Sequence, residues 1–149
     1  MAEHIAEIIW RRDTESFAYE AYGRSHDWRF DNGLVVRAAA APEFRGDPAN
    51  VDPEEAFVAS IASCHMLTFL AICSRKRIVI DAYEDRAVGA MSKNAAGKLF
   101  VSRIDLRPRI SFAGSPPSRD SLSALHRQSH AECFIANSVM TEIIVHQDE

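Results

Sequence analysis

The chain predicts an α+β fold, and three features of the sequence carry that expectation. Segments of two-residue alternation stand on both sides of one long apolar segment. That segment has the start and stop signals of a helix. A second helical segment precedes a last alternating run. The 149 residues suit one domain over 1–149, since no repeat, low-complexity tract or linker divides them.

Residues 4–12 read as a strand, with Ile5, Glu7 and Ile9 alternating against Ala6, Ile8 and Trp10. Residues 17–30 are rich in aromatics and read as a second strand. Tyr22, Arg24, His26 and Trp28 then share one face. Asp31-Asn32-Gly33 is a turn signal leading to a third strand over 34–40. Residues 42–51, with a glycine and two prolines, read as a loop.

A helix is expected over 52–76. Asp52 suits the N-cap, Pro53 the first turn and Glu55 the third position of a capping box. Arg75, Lys76 and Arg77 suit its C-terminal end. Phe57, Val58, Ile61, Met66, Leu67 and Phe69 make it apolar nearly all round, so it is expected at the centre of the fold. Residues 78–91 and 99–112 then read as a hairpin around 92–98. On its second strand Phe100, Ile104, Leu106, Ile110 and Phe112 face one side and Arg103, Asp105, Arg107 and Arg109 the other. A helix over 118–135 and a strand over 139–146 complete the order β-β-β-α-β-β-α-β, with antiparallel sheets around a buried helix.

The net charge of −4 argues against a nucleic-acid partner and against a polybasic membrane anchor. Residues 1–10 carry Glu3 and Glu7 and do not read as a signal peptide. No run of about 18 apolar residues is visible, so a cytoplasmic protein is expected. The three cysteines, Cys64, Cys73 and Cys133, are too few and odd in number for a disulfide framework. Packing, metal ligation and redox chemistry remain open for them. At about 100° per residue, Cys73 points away from Cys64 on the same helix, which makes it a packing residue. Zinc ligation by Cys64, His65, His130 and Cys133 uses suitable residue types. Its spacing is poor, because Cys64 and His65 are adjacent on a helix. His126 and His130 read as a solvated helix face, and His26, His65 and His146 have no evident partner.

Two flanks weight the cysteines toward redox chemistry. Pro53 and Glu54 precede Cys64, which follows a run of small residues. His130 precedes Cys133, and Asn137 follows it. These motifs, together with the element order, resemble the OsmC/Ohr family of thiol peroxidases across essentially the whole chain. The resemblance implies an OsmC-like fold in an intertwined homodimer. It also implies peroxide reduction, organic hydroperoxides foremost, with Cys64 as the peroxidatic thiolate and Cys133 as the resolving thiol. An external dithiol, a lipoylated protein in the Ohr branch, would be the reductant, and no cofactor is implied. In the family a Glu holds an Arg near the reactive thiol. By spacing the Glu is Glu54. For the cation Arg11, Arg12 and Arg24 are available, and Arg24 is favoured for its aromatic neighbours. Ten helical residues place Glu54 about 15 Å along the axis from Cys64. Both serve one site only if Glu54 comes from a second subunit or the chain kinks, so a homodimer is expected. The alternative is an OsmC-like binding protein without turnover.

Overall fold

The computed structural model describes residues 2–147, which form two compact units, one ending at Ala56 and one beginning at Phe57. In the first, β1 (Ala6–Ile9), β2 (His26–Phe30) and β3 (Val35–Ala38) make an antiparallel sheet in that order. The register pairs Ile8 with Trp28 and Trp28 with Val36. The second strand is shorter than the alternation predicts. Residues 17–25 are turns and irregular chain, so Tyr22 and Arg24 do not share a strand face with His26 and Trp28. Trp10, Phe17 and Tyr22 instead pack on one another, with centroids 4.8 to 6.2 Å apart. Arg24 donates to the carbonyls of Tyr19 and Tyr22 and lies over both rings, which closes the segment on itself.

The helix α1 (Pro53–Arg75) starts as predicted, with a reciprocal capping box. Glu55 N donates to Asp52 Oδ1 at 2.8 Å, and Asp52 N donates to Glu55 Oε1 at 3.1 Å. It runs unbroken to Arg75. Its length and a mean hydropathy of 1.9 would also suit a membrane span, which corrects the expectation that no such run exists. In the second unit its buried side chains, Ile61, His65, Phe69, Ile72 and Cys73, pack against two sheets and the second helix, and 28% of the apolar window is buried.

The predicted hairpin is present but split into four strands. β4 (Ile80–Asp85) pairs with β7 (Pro108–Phe112), while β5 (Val88–Lys93) pairs with β6 (Leu99–Leu106). Both arms change sheet at the same level, between the pairs Asp85–Pro108 and Val88–Asp105. The break has a local cause. Arg107 N gives its proton to Asp85 Oδ1 at 2.7 Å, and Pro108 has none to give. The inward alternation survives the break, since Ile104, Leu106 and Pro108 are all buried. The last strand, β8 (Glu142–Val145), lies parallel to β6, which corrects the all-antiparallel expectation. The helix α2 (Arg119–Glu132) carries the chain back along the fold first, so β8 enters in the direction of β6.

The core has two parts along α1. Ile61 meets Ile104 and Leu106 of the three-stranded sheet. Phe69, Ile72 and Cys73 meet Leu125 of α2, with Tyr83 and Ile110 packed alongside. Each fully buried side chain of this size contributes roughly 1.5–3 kcal/mol. Gly89 on β5 marks a close approach of sheet to helix, because a Cβ there would stand 2.6 Å from Val58 Cγ2.

Candidate active site

Neighbouring positions on α1 look in opposite directions. Ser60, Cys64, Leu67, Thr68, Ala71 and Arg75 recur at helical spacing and line one wall of an open groove of about 700 Å³. The other wall is the chain that follows α2, including Phe134, which is 82% exposed. The lining is mostly apolar, with Leu67 also exposed.

Cys64 is half-buried in this wall, and Cys133 stands behind it, 1% exposed. The two thiols are hydrogen-bond neighbours, and both are free. Burial pushes the Cys64 thiol up, but donors outweigh it and the net direction is down. Those donors are the Cys133 thiol, the backbone N–H groups of Ile135 and Phe134, and the Thr68 hydroxyl. For Cys133 the direction is reversed. Burial raises it, and the hydrogen bond and charge of Cys64 raise it further. Of the pair, Cys64 is displaced toward the thiolate and Cys133 toward the thiol.

The donor turn is built by the motif around Cys133. Cys133 ends α2, and its Sγ accepts from Ala136 N at 3.4 Å. Asn137 Nδ2 donates to Ala131 O at 3.1 Å, and Ser138 Oγ donates to Phe134 O at 2.9 Å. These bonds hold the turn with the N–H groups of Phe134 and Ile135 toward Cys64. Sequence reasoning missed these donors, because backbone donors leave no mark in residue identity. Thr68 had a signal, being four residues after Cys64. Its hydroxyl donates to the Cys64 carbonyl at 2.8 Å and lies within reach of the sulfur.

His65 turns into the core, where Nε2 meets His126 Nδ1 at 3.0 Å. Both rings are buried, which corrects the reading of His126 as solvated and of His65 as unpartnered. Both are lowered to about 4, His126 by burial and His65 by burial first, with the charges of His126 and His130 contributing. The zinc alternative loses its geometry here, since His65 faces His126 and His130 is exposed. Among the described residues no group of three or more His, Cys, Asp or Glu side chains is placed to hold a metal ion. His26 and His146 also have partners. His26 Nε2 accepts from Trp28 Nε1 at 3.0 Å, and His146 Nε2 meets Asp105 Oδ1 at 2.7 Å. Cys73 lies in the core, where burial raises its thiol.

In the first unit, Glu54 Oε2 is buried with no hydrogen-bond partner among the described residues. Arg24 makes no ion pair with it there and is held by Tyr19 and Tyr22.

Residues 46–147 match the family of OsmC-like proteins. An OsmC-like protein of unknown function from Vibrio cholerae has a similar structure, with TM-score 0.92 and 45% identity, over 98% of this chain and 99% of that one. An organic hydroperoxide resistance protein from Legionella pneumophila shares the fold at TM-score 0.73 and 16% identity, over 97% and 94%. Another from Bacillus subtilis shares it at 0.65 and 17%, over 95% and 98%. No curated protein matches.

Proposed function

The chain belongs to the OsmC-like family, and from that premise we propose that it is a thiol peroxidase acting on organic hydroperoxides. The observation that carries this is the opposite displacement of two touching thiols, Cys64 down and Cys133 up. That asymmetry supports Cys64 as the nucleophile and Cys133 as the resolving thiol.

The chemistry balances in three steps. The Cys64 thiolate attacks the terminal, hydrogen-bearing peroxide oxygen, the O–O bond breaks, and the alkoxide leaves and takes a proton from water to become the alcohol. Cys64 is then a sulfenic acid. The Cys133 thiol attacks that sulfur, forming the disulfide and releasing water. An external dithiol, such as a lipoylated protein, reduces the disulfide and becomes a disulfide itself. The N–H groups of Phe134 and Ile135 steady the thiolate before attack. The apolar groove favours an organic peroxide over hydrogen peroxide.

A homodimer completes the proposal. The exposed Leu67 and Phe134 beside Cys64 support a second subunit against this face. Glu54, with its orphaned carboxylate oxygen, is then the anchor for a cation supplied to the partner's thiolate, and Arg24 is that cation. A cytoplasmic setting keeps the thiols reduced between turnovers. One observation favours a second reading, a binding protein without turnover. Arg24 is already held by the carbonyls and rings of Tyr19 and Tyr22.

Consumption of cumene hydroperoxide by the reduced protein, with dihydrolipoamide as reductant, decides between them. The peroxidase consumes it catalytically and faster than hydrogen peroxide. If neither peroxide is consumed with any dithiol, the binding reading stands.

A further inference from the structure

We propose that the buried His65–His126 pair is a strut that positions Cys64 against Cys133 for disulfide formation. The placement of the four residues carries this. His65 adjoins Cys64 on α1, and His126 lies seven residues, two helical turns, before Cys133 on α2. The bond between the imidazoles thus ties the two helices that carry the two thiols. The apolar contacts between these helices, Phe69, Ile72 and Cys73 against Leu125, set no unique register. A hydrogen bond of 3.0 Å does.

The ring geometry is that of a directed bond. The planes are 12° apart and the centroids 5.2 Å apart. That separation is close to the N···N distance plus two ring radii, so the rings meet edge to edge. A neutral imidazole has one N–H and one free lone pair, so two neutral rings satisfy the shared bond. Phe69 covers the His126 face at 4.6 Å and excludes water from it. Neither histidine touches the peroxide in the proposed chemistry, so both are positioning residues. The inference deepens the thiol-peroxidase reading, since resolution by Cys133 is the step it serves.

The test is the rate at which diamide, a two-electron thiol oxidant, converts the reduced protein to the Cys64–Cys133 disulfide. The proton and electron acceptor is diamide itself, so the readout needs no peroxidase turnover, and failure of the strut separates from failure of the peroxidase reading. In His126→Phe, which keeps an aromatic ring and removes the bond, closure slows by about tenfold or more. His126→Asn restores an amide near the place of Nδ1 and closes within about threefold of the parent. His65→Met and His65→Gln form a second pair read the same way, should His126→Phe not fold. Closure at the parental rate in the apolar variants overturns the strut. So does an amide variant as slow as its apolar counterpart, which would leave packing alone as the cause.

Discussion

Cys64 and Cys73 lie on one helix, nine residues apart, in opposite surroundings. Cys64 looks into an open groove, where a thiol, two backbone N–H groups and a hydroxyl draw its pKa down. Cys73 looks into a core of Phe69, Ile72 and Leu125, where burial pushes its thiol up. Residue type is the same at both positions, so the surface that each helix face presents is what sends the two thiol pKa values in opposite directions. The histidines repeat the lesson. His65 follows Cys64 directly in sequence and lies on the buried face, neutral and paired.

The sharpest way to break this contrast is to remove each thiol in turn. Cys64→Ser is expected to reduce peroxide consumption to the rate without protein, with little change in stability. Cys73→Ser keeps the activity and loses about 1–3 kcal/mol in chemical denaturation, because a hydroxyl replaces an apolar contact. Full activity in Cys64→Ser, or its loss in Cys73→Ser, would reverse the roles. Next in size is Cys133→Ser. It leaves one round of Cys64 oxidation, seen as a trapped sulfenic acid, and blocks disulfide formation and turnover.

Acid tests the core face. His65 and His126 titrate near 4 when folded and near 6.5 as free groups. Above pH 6.5 both states are neutral and the pair imposes no pH dependence. As pH falls from 6.5 toward 4, the unfolded chain takes up protons that the folded chain refuses. Stability then drops by up to about 1.4 kcal/mol per pH unit per imidazole, levelling off below pH 4. Urea denaturation at pH 7.5, 5.5 and 4.5 reads this slope, and a flat profile contradicts a buried neutral pair. The smallest effect is expected on the groove face. Thr68→Val removes the weakest of these donors and is expected to raise the Cys64 pKa, slowing oxidation a few-fold at neutral pH. Thr68→Ser restores both in a thiol titration followed by ultraviolet absorbance.

Much of this was legible in the sequence where local physics dominates. The capping box of Asp52 and Glu55 formed as read, and the opposed directions of Cys64 and Cys73 follow from helical period alone. Proximity of Cys133 to Cys64 came from motif resemblance. What failed depended on tertiary partners. The alternation over 78–91 and 99–112 marks inward and outward faces but not the point where a strand leaves one sheet for another. That point is set by Asp85 capturing the Arg107 N–H. Residues 17–25 resemble a strand in composition, yet their aromatics pack on each other around Arg24. The His65–His126 bond joins residues 61 positions apart, so no local pattern announces it.

Peptide mapping of the reduced protein after one equivalent of organic hydroperoxide tests the central claim most directly. The expected product is a single disulfide between Cys64 and Cys133, with Cys73 still a free thiol. Three unmodified thiols, or oxidation at Cys73 ahead of Cys64, would contradict it.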